Sequence, residues 1–125
     1  MQKMNALKLL LAIGAVAAGP VYADCSAPKA PETIPDGATA PLADMVAAQK
    51  AVRTYNDEVK AYTDCLRLEQ DNAVAAAGDK ITPEERQRIE KEHTSKNNAA
   101  VDQAQAVTTR FNEQIKIFKA RPKTG

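Results

Sequence analysis

The chain has 125 residues, enough for one small domain, and its 17 basic and 16 acidic residues leave it close to neutral. That balance argues against a dedicated nucleic-acid binder, and three tyrosines, two phenylalanines and no tryptophan leave little from which to build a stacking platform for bases or sugars. A single histidine and two widely separated cysteines do not make a metal-ligand pattern.

Residues 1–23 read as a signal peptide. Lys3 and Lys8 give a positive start, and Leu9 to Ala18 is an apolar run too short to stay across a bilayer. Gly19-Pro20 then breaks the helix, and Val21-Tyr22-Ala23 places small residues at the two positions a signal peptidase reads. A lipid anchor on Cys25 is rejected, because Asp24 stands where that motif needs a small residue. A cut after Ala23 removes Lys3 and Lys8 and no acid, so 17 basic residues become 15 against the same 16 acidic ones. Cys25 and Cys65 stay in the mature part, and an even pair in an exported chain is expected to be a disulfide.

Residues 24–40 carry Pro28, Pro31, Pro35 and the turn pair Asp36-Gly37, a density of proline that favours extended, polyproline-like backbone. Pro28-Lys29-Ala30-Pro31 matches the pattern read by intracellular signalling modules, and is taken as accidental in an exported protein.

A first helix is expected over 41–77, with Thr39 as a cap, Pro41 in the first turn and Asp44 at the positive end of the dipole. Gly78-Asp79 stops it. Thr82-Pro83-Glu84-Glu85, a capping box with proline at the first helical position, starts a second helix over 82–120. Pro122 ends it, and 121–125 is expected to be a disordered tail.

Both helices carry an apolar seam in alternating steps of three and four. In the first it runs Met45, Ala48, Val52, Tyr55, Val59, Tyr62, Leu66, Ala73 and Ala76, broken only by Glu69. In the second it runs His93, Asn97, Ala100, Ala104, Val107, Phe111, Gln114 and Phe118, widened by Ile89, Val101 and Ile115. The connection at 78–81 is short, so the helices must be antiparallel neighbours. Folding about it sets Leu66 against His93, Tyr62 against Asn97, Tyr55 against Ala104, Val52 against Val107 and Ala48 against Phe111. The expected fold is therefore all-α: a long antiparallel two-helix hairpin with an extended Pro-rich N-terminal segment stapled by a disulfide. Two helices bury one stripe each, a thin core for about 100 residues. The segment, pinned at Cys65, is long enough to run back along the hairpin, with Ile34 over the open edge of the seam.

Few residues invite chemistry. His93 lacks a partner for general-base or metal work, and reads as a structural or rim histidine. Glu84, Glu85, Glu90 and Glu92 are interspersed with Arg86, Arg88 and Lys91, which is the pattern of a solvated helix face. The pairs Tyr55–Tyr62 and Phe111–Phe118 lie one heptad apart and read as core rather than as a ligand cleft. Lys116, Lys119, Arg121 and Lys123 form a basic C-terminal run that could touch anionic lipid or polysaccharide, although the helix dipole already accounts for most of it. No phosphate loop, HExxH, GxSxG or CxxC occurs, so no catalytic, cofactor-binding or metal residues are expected.

At Cys25, Pro35-Asp36-Gly37, Asp44-Met45 to Ala51-Val52, Tyr62 to Leu66, and Phe111-Asn112 to Phe118-Lys119, the chain resembles a group of small exported bacterial proteins of unknown function. The resemblance covers most of the mature part and implies a Gram-negative, periplasmic setting, with no functional residues to carry over. The expected function is that of a non-enzymatic periplasmic or secreted helical interaction protein. It would act through its helix faces on a protein partner or on a second copy, with no nucleic acid and at most peripheral membrane contact. The alternatives are a peripheral envelope binder using the basic C-terminus and, more remotely, a small-ligand or metal carrier.

Overall fold

The computed structural model describes residues 24–123, so the expected leader and the end of the tail lie outside the described residues. Thr82 makes the sharpest boundary in the chain. Its hydroxyl accepts the Glu85 N–H at 3.1 Å, and Pro83, which has no N–H to satisfy, takes the first helical position. From there α2 runs Pro83–Ala120. The first helix, α1, runs Leu42–Ala77 and ends where Gly78 adopts φ 68°, a left-handed conformation that a residue with a Cβ reaches only under strain. A short 3-10 turn, Gly78–Lys80, closes the hairpin.

The start of α1 differs in detail from expectation. Thr39 does not cap it; Pro41 holds the cap position with no side-chain hydrogen bond. The turn before it is organised by Asp36 instead. The Asp36 carbonyl accepts the N–H groups of Thr39 and Ala40 at 3.2 and 2.8 Å, and its carboxylate accepts that of Ala38 at 2.9 Å.

The fold is an all-α, antiparallel hairpin to which the extended segment is stapled through Cys25 and Cys65, with Cα atoms 5.8 Å apart. At ~1.5 Å per residue the helices are each about 55 Å long. Met45, Val52, Tyr55, Val59, Val107 and Phe111 form the buried core with Ala40, and Ala48, Ala100, Ala104, Ile115 and Phe118 pack around it. Residues paired in the central part of the expected register thus meet in one cluster. Ala30 and Ile34 of the segment pack on the same cluster, so the segment is a third layer of the core and not only a tether.

The α1 seam departs from expectation beyond Leu66. Ala73 and Ala76 are exposed, whereas Gln70, Val74 and Ala77 are half-buried. A run of alanines presents nearly the same methyl surface all round the helix, so packing and not side-chain hydrophobicity selects the inward positions.

Candidate functional site: an open groove beside the stapled segment

The segment lies along the edge of the hairpin where α1 and α2 meet. Cys25, Pro28, Ala30, Pro31, Ile34 and Pro35 are half-buried, and Ser26, Ala27, Lys29, Glu32 and Thr33 are exposed. Its prolines suit an extended backbone with no hydrogen bonds of its own. The segment thus lies against the hairpin with more than one of its faces covered.

Both ends of the segment are fixed. At the Gly37 end, its N–H donates to Gln114 Oε1 at 2.8 Å, and the glycine lies so close to α2 that a Cβ would collide with the Gln114 carbonyl. Arg121 completes this end. Its guanidinium donates to the Ala40 carbonyl at 2.7 Å and lies over the Phe118 ring, 4.3 Å from the centroid. At the other end the disulfide is joined by the Cys25 N–H, which donates to Glu69 Oε1 at 3.4 Å.

Asp24, the first described residue, borders a further cavity. A cleft of about 640 Å³ opens between the loop-proximal halves of the helices. Leu66, Ala73, Ala76, Ala77 and Ile89 supply its apolar lining, and Asp24, Glu69, Gln70, Glu85, Arg88, Glu92, His93 and Lys96 its polar parts. Cys65, Glu69, Asn72 and Ala76 recur at steps of four, three and four, so one edge of α1 carries the staple and then the groove wall. Lys96 pairs with Glu92 at 3.3 Å, and this hydrogen-bonded carboxylate, followed by the charge of Glu69 and of Tyr62, raises the Lys96 pKa. The groove carries four carboxylates against two cations.

The other site residues fall as follows. His93 lines the groove, its Nε2 buried with no hydrogen-bond partner, and no catalytic arrangement surrounds it. Among the described residues no group of His, Cys, Asp and Glu is disposed to hold a metal ion, and no helix is long and apolar enough to cross a membrane. Of the basic C-terminal set, Lys116, Lys119 and Lys123 are exposed, whereas Arg121 is turned inward onto Ala40 and Phe118. Tyr55 and Phe111 lie in the core. Sequence reasoning missed Gly37, Gln114 and Arg121 as anchors of the segment. The available signal was a glutamine at an apolar seam position, which needs a partner when half-buried.

A smaller open depression lies between Asn56, Thr63, Val101 and Thr108, where the Asn56 amide donates to the Thr108 hydroxyl at 3.2 Å. The fold is a stapled helical hairpin with an open groove between the loop-proximal halves of its helices. No protein-family model matches the chain, and no match was found among the curated proteins or the solved structures compared with it.

Proposed function

We propose that the chain is an exported, non-enzymatic binding module that works in the periplasm or outside the cell. The single observation that carries this reading is the cleft of about 640 Å³ left open beside the stapled segment. Its walls are the two helices, apolar and charged side chains line it together, and no nucleophile paired with a base lies among them. Leu42, Val46, Leu68 and Ile117 add apolar side chains to the surface that a partner or a second copy could cover. The disulfide favours an oxidising compartment, and the charged-then-apolar leader ending at Ala23 supplies the route to one. The rival reading, a basic C-terminus on anionic lipid or polysaccharide, is weakened because Arg121 is engaged within the fold.

The test is a photo-crosslinking amino acid placed at position 76 in the groove or at position 46 on the exposed surface, irradiated in intact cell envelopes. Specific adducts of higher mass from at least one position are expected. Monomer alone from both positions, with the protein present and folded, contradicts the reading.

A further inference from the structure

The apolar seams are interrupted at two places that the extended segment touches. Glu69 is the one charged break in the α1 seam from Met45 to Ala76, and Gln114 is the one polar residue of the α2 seam from Ala100 to Phe118. Each accepts a backbone N–H of the segment on its Oε1: Glu69 that of Cys25 at 3.4 Å, Gln114 that of Gly37 at 2.8 Å. Cys65 lies one helical turn before Glu69 on the same face of α1, so the acceptor for the Cys25 N–H and the partner for its sulfur stand together.

The two acceptors are as far apart as the segment is long. Met45 and Gln114 lie nearly equally far from the turn, 33 residues before Gly78 and 32 after Thr82, and so stand level across the antiparallel hairpin. From Met45 to Glu69 is 24 residues of helix, about 36 Å at ~1.5 Å per residue. From Gly37 to Cys25 is 12 residues of extended chain, about 37 Å at ~3.1 Å per residue. The segment thus joins the two points with less than one residue of slack.

We propose that Glu69 and Gln114 are positioning residues that gauge the segment: by holding its two ends to the hairpin they set its register and deliver Cys25 to Cys65. The staple then closes on a segment that has already docked. Closure is thiol–disulfide exchange with an external disulfide. One cysteine thiolate attacks a sulfur of the oxidant and releases one thiolate from it. The other cysteine thiolate attacks the mixed disulfide, which forms the Cys25–Cys65 bond and releases the second thiolate. Two electrons pass to the oxidant, and the two protons lost by the cysteines go to the released thiolates. In the unstapled chain the Cys25 end leaves and returns. Each return to Glu69 brings its thiol within reach of Cys65, which raises the effective concentration of one thiol at the other.

The experiment equilibrates the protein isolated from cell envelopes in buffers of reduced and oxidised glutathione. The stapled fraction, read by alkylation and mass spectrometry, gives the effective concentration of the thiol pair. Glu69→Ala and Gln114→Ala are each expected to lower it by roughly fivefold. Glu69→Gln keeps an acceptor oxygen in the same place, and should stay within about twofold of the unaltered chain. Deleting Thr33, an exposed residue between the two points, shortens the segment by ~3.1 Å and should lower the value by about tenfold or more. Glu92→Ala, which removes a carboxylate that makes no bond to the segment, should leave it unchanged. An unchanged value in Glu69→Ala or after the deletion, or equal losses in Glu69→Ala and Glu69→Gln, overturns the proposal. Circular dichroism of the reduced chains guards against a purely structural effect. Loss of helical signal in reduced Glu69→Ala would assign Glu69 to the hairpin itself and overturns it as well.

Discussion

Gly37 and Gln114, 77 positions apart, meet so closely that the glycine N–H donates to the glutamine side chain at 2.8 Å while its Cα lies against the glutamine carbonyl. The contact fixes where the extended segment leaves the hairpin and turns into α1. It also requires glycine for reasons of space and not of backbone angle, since the one glycine with positive φ among the described residues is Gly78.

Gly37→Ala therefore places a methyl inside the α2 backbone, and should destabilise by about 1–3 kcal/mol as the segment is pushed off. Gly78→Ala meets no neighbouring atom, and should cost only the positive-φ backbone strain of about 1–3 kcal/mol, with the segment still seated. NMR contacts from the Ile34 methyls to the core report seating directly. Their persistence in Gly37→Ala would contradict the steric account.

Phe111 is 4% exposed and sits in the cluster that joins both helices. Phe111→Ala should destabilise by about 3–5 kcal/mol, because two helices offer few neighbours to refill the space. Glu92→Ala removes one exposed ion pair with Lys96, and should leave stability little changed. Urea denaturation separates them, and equal midpoints would refute the packing.

Tyr55 is 3% exposed, and burial raises its hydroxyl pKa above the ordinary value. The neutral phenol is thus the form the folded state favours. Below the unfolded value of about 10 both states are protonated and the term is silent. As pH rises past that value the unfolded state ionises first, so stability is lost until the folded pKa is passed. Tyr55→Phe should remove this part of the alkaline loss. An unchanged slope of stability against pH above about 10 would show that the phenol is not the source.

Closing a loop of 40 residues should contribute on the order of 4 kcal/mol in the chain-entropy model. Reduction should free the Cys25 end, yet the Gly37–Gln114 and Arg121–Ala40 contacts remain to hold the other end. Circular dichroism should therefore show most helix retained after reduction, while the Ala30 and Ile34 methyl signals shift. Loss of most helical signal would mean that the hairpin cannot stand without the staple.

How much of this was legible in the sequence follows from the range of the forces involved. Helix boundaries at Gly78 and Thr82-Pro83 are local chemistry and could be read directly. The seam from Met45 to Leu66 and its α2 counterpart could be read too, because large side chains there contrast with charged ones. The signal fades at Ala73 and Ala76, where alanines carry no contrast, and there the seam gives way to the groove. Gly37, Gln114 and Arg121 were opaque because their partners lie 77 and 81 positions away, and no local pattern announces such a contact. The groove was opaque for a related reason: its lining comes from both helices, and those residues follow no motif.

The proposed export of a domain that has lost residues 1–23 and is closed by its own staple is tested most directly by intact-mass spectrometry of protein released from cell envelopes and alkylated without reductant. The predicted result is the mass of Asp24 to Gly125 less two hydrogens, with no alkyl group added. The mass of all 125 residues, or two alkylated cysteines on the shorter chain, would contradict it.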